Sequence, residues 1–277
     1  MSPISSETTV TPDTTVTSEP TDTRRRPPRW PAPVHYALHS TWLTVKNFAF
    51  VVFAVGMPLV LYIVFSQTFS GSGPDAGLVS AMIMVSMAAY GALGAAMSGG
   101  AQLATERRSG WFRQLSITTL APREFLLAKA GVIMVLVLPS LLLVFGAGFG
   151  IGGVRLPAGV WLASLSLMWL ALIPLAILGI VIGLWVKAEA VGGVTTLVLL
   201  LLAMLGGLWL PMEMMPPVAQ ALAQALPSYW LAEFGRWPML PDTAFPWTGV
   251  LVLLAWVIGL TVLGALGFRR ATASSKR

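Results

Sequence analysis

Cysteine is absent from the 277 residues, which excludes disulfide scaffolds, thiolate metal sites and cysteine nucleophiles. Charge is scarce as well: Asp, Glu, Lys and Arg make up 10% of the chain, where a soluble domain of this size carries roughly a quarter. Histidine occurs twice, at His35 and His39, ahead of the first long apolar run. No lysine follows a glycine, so GxxxxGK[ST] is missing and the chain cannot cradle nucleotide phosphates in a P-loop. What is present is 56% hydrophobic, with a mean hydropathy of +0.79, which excludes an ordinary soluble enzyme. The formal net charge of +6 would suit nucleic acid in a soluble protein; on this hydropathy it belongs against membrane phospholipid instead.

The position of the missing charges gives the architecture. Six intervals without Asp, Glu, Lys or Arg hold 28, 30, 25, 31, 23 and 26 residues. An α-helix rising about 1.5 Å per residue needs roughly 20 apolar residues to cross the hydrocarbon core, so each interval is long enough. The reading is an all-α membrane protein with six transmembrane helices at about 47–69, 77–102, 125–152, 157–186, 190–210 and 247–268. Fifteen of the 17 Lys and Arg residues fall on one side of this arrangement, leaving Arg155 and Arg236 on the other. Basic residues are retained on the cytoplasmic side during insertion, so both termini are predicted to be cytoplasmic.

Residues 1–33 are rich in Thr, Ser and Pro and are predicted to form a disordered cytoplasmic tail, followed by a membrane domain over 34–270 and a C-terminal stub at 271–277. The Arg24 to Arg29 cluster reads as a juxtamembrane topology anchor, and 34–46 as a helix lying on the membrane surface. Small-xxx-small spacings at Gly146/Gly150, Gly148/Gly152 and Gly179/Gly183 either mark close helix contacts or reflect the general abundance of glycine in membrane helices. Pro58, Pro139 and Pro174 predict kinks. An ion-coupled transporter needs an ionisable group near the midplane, and intramembrane hydrolases need a base or metal ligands; the spans offer neither. If the chain transports, its energy must come from another polypeptide.

Two segments stand out. The loop Thr105 to Arg123, TERRSGWFRQLSITTLAPR, is the one predicted cytoplasmic segment large enough to present a defined surface, with Trp111, Phe112, Leu115 and Ile117 against Arg107, Arg108 and Arg113. On physical grounds it is either a docking surface or a positive-inside loop with interfacial aromatics. Between the fifth and sixth spans, Pro211, Pro216 and Pro217 break the helix, and Val218, Ala221, Leu222 and Ala225 then recur at i, i+3, i+4 and i+7 until Pro227. That amphipathic piece is too short to cross; it either dips into the outer leaflet or belongs to an extracytoplasmic loop, flanked by Glu213 and Glu233.

Glu106, Arg107, Gly110, Leu115 and Pro122, with FLLAK at Phe125 to Lys129, resemble the loop after span two in ABC transmembrane type-2 export permeases, and GGLWLPMEMMPPVAQALAQALPSYWLAE at Gly206 to Glu233 resembles that family's re-entrant helical hairpin. The resemblance covers about Val34 to Arg270; Ala121 departs from it, where Ser or Thr often caps the next helix. It implies a permease subunit of an exporter in a bacterial plasma membrane. Glu106, Arg107, Gly110, Leu115 and Pro122 would form the loop that couples to a separate ABC ATPase subunit, and Pro211, Glu213, Pro216, Pro217 and Pro227 would shape the hairpin. A second permease chain and membrane lipid would be the other partners, with no nucleic acid. No catalytic, cofactor or metal residues are expected in this chain, ATP being bound by the partner. The apolar and aromatic spans suit a drug, antibiotic or lipid-like substrate. Two alternatives stay open: an ion-coupled secondary transporter, against which the missing midplane ionisable group argues, and a non-transporting membrane scaffold.

Overall fold

The computed structural model describes residues 56–71, 73, 75–109, 122–241 and 243–274; the regular elements among them are all helices, with no strand. The predicted tail, the surface helix at 34–46 and most of the loop at 105–123 lie outside the described residues. Among the described residues, four helical stretches are long and apolar enough to cross a membrane: Ala76–Arg108, Leu127–Gly150, Ala158–Trp185 and Trp247–Arg270. Two shorter apolar helices, Met57–Phe69 and Val191–Leu205, fall in the remaining two intervals of the sequence.

Helix α1 (Met57–Phe69) leads into α2 (Ala76–Arg108), whose 33 residues make a rod about 50 Å long at 1.5 Å per residue. Helix α2 is the axis of the bundle because its side chains are small. Ala81, Ala88, Ala89, Ala92, Ala95 and Ala96 are fully buried, and α1, α4, α6, α7 and α9 all pack against it. Closest is α6: a Cβ on Gly100 would run into the backbone of Gly179, and one on Gly183 would run into the carbonyl of Gly100. Backbones approach this closely only where both helices present glycine. Gly148 and Gly152 make room for Met84 and Tyr62, whereas Gly146 and Gly150 face open space, so the small-residue spacings divide into used and unused.

The third and fourth predicted spans are each two helices end to end. Helix α3 (Pro122–Leu136) passes into α4 (Leu138–Gly150) at Val137, and α5 (Ala158–Ala171) into α6 (Ile173–Trp185) at Leu172. Each break sits two residues before a proline, Pro139 or Pro174, whose missing N–H removes one rung of the helical ladder. Helix α7 (Ala188–Leu205) ends earlier than the predicted 210. Gly207 takes a φ of +68°, and the Leu208 amide donates across it to the Ala203 carbonyl at 3.0 Å, a glycine-terminated helix end.

After a 3-10 turn at Met212–Met214 come two short helices, α8 (Pro217–Gln224) and α9 (Pro227–Arg236). The amphipathic stripe read from the sequence lies on α8 and faces outward: Val218 and Leu222 are exposed, and Ala223 is the buried residue. Pro227 opens a further helix, and Trp230, Leu231, Ala232, Phe234 and Gly235 of α9 pack into the core against α2 and α5. Helix α10 (Trp247–Ser274) is peripheral and touches the bundle mainly through α6; it continues into the segment read as a C-terminal stub.

Candidate functional site

The last turn of α2 carries Glu106, Arg107 and Arg108 in succession. Consecutive helical residues point about 100° apart, so three adjacent charges cannot share one neighbour. The structure gives each its own. Glu106 Oε1 accepts from Lys129 Nζ of α3 at 2.6 Å. Arg107 Nη1 donates to the carbonyls of Gly183, at 3.2 Å, and Leu184, both in the final turn of α6. Arg108 Nη1 lies 3.3 Å from Glu189 Oε1 in the first turn of α7.

These contacts differ in weight. Lys129 is 1% exposed, so its ammonium is sheltered from solvent by the surrounding helices and meets the Glu106 carboxylate away from water. Arg107 satisfies carbonyls that have no intrahelical donor and places positive charge at the negative end of the α6 dipole. The Arg108 to Glu189 pair is solvated on both sides and contributes at most about 1 kcal/mol, although Glu189 also suits the positive end of α7. Together they tie the two stems of the 110–121 segment, α2 and α3, to each other and to the α6–α7 turn. The Gly100 to Gly183 approach makes this possible by bringing the α6 terminus within reach of Arg107. Ala104, Arg107, Arg108, Lys187, Ala188 and Glu189 line an open, shallow cleft of about 200 Å³ between α2 and that turn. Beside it, the Trp185 indole donates to the Leu263 carbonyl of α10 at 3.1 Å, with the Arg270 guanidinium 5.6 Å from the Trp185 ring centroid.

At the opposite end, α9 holds a second polar group. Arg236 donates through Nη1 to Glu233 Oε1 at 3.0 Å and through Nη2 to Ser86 Oγ of α2 at 2.7 Å. Ser86 lies ten residues into α2, about 15 Å along its axis, so α9 runs down beside the bundle. Ser228 fastens the start of α9 by donating to the Leu202 carbonyl of α7 at 2.7 Å. A third clasp joins α1, α2 and the end of α4: Tyr62 OH lies 3.0 Å from Ser80 Oγ, which bonds the Gly152 carbonyl at 3.1 Å.

Of the loop residues singled out in the sequence, the structure brings Glu106 and Arg107 into one cluster, and Pro122 opens α3; Gly110 and Leu115 lie outside the described residues. Of the hairpin residues, Pro211 precedes the 3-10 turn that contains Glu213, Pro216 and Pro217 start α8, and Pro227 starts α9. Sequence reasoning missed the partners: Lys129, Glu189, Ser86 and Arg236. A signal for the first existed, since Lys129 is a lone cation inside the apolar run FLLAKAGVIM. Arg236 reads in sequence as an ordinary loop cation, and no local pattern reveals that α9 is buried.

Comparison with known proteins agrees with this architecture. A family model described as ABC-2 type transporter matches residues 37–240, more than two thirds of the chain. A protein of Bacillus subtilis (strain 168) named "Putative transport permease YvfS" is 29% identical over 215 residues, covering 77% of this chain and 87% of that one. The family match places this chain in the ABC-2 type transporter family, and its long apolar helices fit a membrane-embedded transport permease.

Proposed function

We propose that the chain is the permease subunit of an exporter driven by a separate ABC ATPase, crossing the bacterial plasma membrane six times with both termini in the cytoplasm. Two such chains pair to form the pathway. The Thr105 to Arg123 loop receives the movement of the ATPase. α8 and α9 form a re-entrant hairpin on the outer side, and a hydrophobic or amphipathic compound, a drug, antibiotic or lipid-like molecule, leaves between the helices.

The observation that carries this reading is the anchoring of the loop stems. Because Glu106, Arg107 and Arg108 are fastened to α3, α6 and α7 respectively, a push on the loop reaches three helices besides α2. A loop that served only topology would need its positive charges but not these partners. The test is the Arg107→Ala, Gly110→Val double variant, co-expressed with its ATPase and reconstituted. ATP hydrolysis should continue while export per ATP falls about tenfold, a loss within the usual range of inter-site coupling. Export at the unaltered rate would show that this loop does not transmit the power stroke.

A further inference from the structure

From the cleft between α2 and the α6–α7 turn we infer a binding site for an anionic phospholipid of the cytoplasmic leaflet, the phosphate seated among Arg107, Arg108 and Lys187 and one acyl chain running along α7. The leaflet assignment rests on the orientation proposed above; the site itself rests on three features of the structure.

The first is charge. The cleft presents three cations against one carboxylate, Glu189. The Lys187 side chain is exposed and makes no hydrogen bond or ion pair among the described residues, its backbone carbonyl alone being engaged, by the Ala190 and Val191 amides. Arg107 spends Nη1 on the α6 carbonyls, and its Nη2 and Nε have no protein partner among the described residues. The second is shape: about 200 Å³ accommodates a phosphate and the ester oxygens beside it. The third separates a lipid from a free anion. From Glu189 an exposed line continues along α7 at four-residue spacing through Gly193, Leu197 and Leu201, with Leu197 58% and Leu201 48% exposed. Gly193 has open space where a side chain would stand, so nothing on that line stands between the cleft and the exposed Leu197 and Leu201, and this bare apolar face of α7 is the track an acyl chain would follow. A free phosphate would have no use for that track, and an acidic protein side chain would not extend along it.

The test is native mass spectrometry of the purified, detergent-solubilised chain titrated with phosphatidylglycerol and phosphatidylcholine of identical acyl composition. The wild-type chain should retain one phosphatidylglycerol in preference to phosphatidylcholine. K187Q should weaken that retention about fivefold, the effect of one basic residue near an anionic surface. E189Q, which removes the cleft's carboxylate, should strengthen it by a similar factor, whereas a purely structural role for the Arg108 pair predicts the opposite sign. G193W should abolish the preference by filling the track without altering charge. Retention unchanged in G193W but displaced by millimolar inorganic phosphate would replace the lipid with a free anion. Unchanged retention in K187Q, with weakened co-purification of the ATPase, would assign the cleft to that partner, and absence of any bound lipid on the wild-type chain would leave α7 to a second copy. Labelling of a Ser109→Cys probe from outside intact cells would overturn the leaflet assignment while leaving the lipid titration interpretable.

Discussion

Lys129 shows how a single residue can carry more consequence than a cluster of exposed ones. Its partner Glu106 is 26% exposed and can be hydrated by itself, whereas the ammonium at 1% exposure cannot. The two halves of this pair are therefore unequal. Glu106→Gln removes the charge that faces a buried cation and should cost about 3 kcal/mol, the lower end for breaking a buried pair, while Lys129→Met leaves a carboxylate that solvent already reaches and should cost less than about 1 kcal/mol. Thermal unfolding of the two variants in detergent checks the order, and a less stable K129M than E106Q would contradict it. Residue-scale legibility follows the same division. Arg107 could be picked out as one of the cations in the loop that follows an apolar span, and Glu106 through the resemblance of that loop to the type-2 permeases. Their partners lie 23 and about 76 residues further on, and only the packing of α3 and α6 against α2 reveals them.

At the scale of elements, the apolar periodicity of the sequence is uniform enough to find helices but too uniform to say how they meet. The interruption of the third and fourth spans was legible in Pro139 and Pro174, and the helix after Pro217 in its i, i+3, i+4, i+7 pattern. That the patterned face of α8 points away from the core was not, because an apolar stripe in a membrane protein has lipid as well as protein to face. The glycines behave likewise: Gly179 and Gly183 show the small-xxx-small spacing, but the spacing cannot name the residue opposite, Gly100. The α2–α6 crossing should accordingly be sensitive at Gly100 and indifferent at Gly146. Gly100→Leu forces two backbones apart and should lower stability by about 3 kcal/mol, whereas Gly146→Leu, with open space around it, should change it by well under 1 kcal/mol. The same melting experiment reads both, and equal losses would mean that the close approach is not what holds these helices together.

For the whole molecule the question is which helices cross. Helix α10 is buried over only 17% of its most apolar window and turns Leu251, Leu254, Ile258 and Leu266 outward, a face that lipid or a second chain can cover and water cannot. Helix α2, with 33 residues, is long and apolar enough to cross with turns to spare. The deciding element is α7, whose 18 residues span about 27 Å, just under the roughly 30 Å of a hydrocarbon core. If the α3–α4 rod, the α5–α6 rod and α7 all cross, three crossings separate Ser109 from Thr243, and the two must lie on opposite sides of the membrane. If α7 stops short, they share a side. The cysteine-free chain makes this a clean measurement, since single probes at Ser72→Cys, Ser109→Cys and Thr243→Cys need no background removed. A membrane-impermeant maleimide added to intact cells should label Ser72→Cys and Thr243→Cys at once and Ser109→Cys only after permeabilisation. Ser72→Cys and Ser109→Cys exchanging behaviour would invert the orientation. Thr243→Cys following Ser109→Cys would keep the orientation of α2 but reduce the number of crossings to five, placing α9 and its Arg236 to Ser86 contact on a helix connection that never reached the far side.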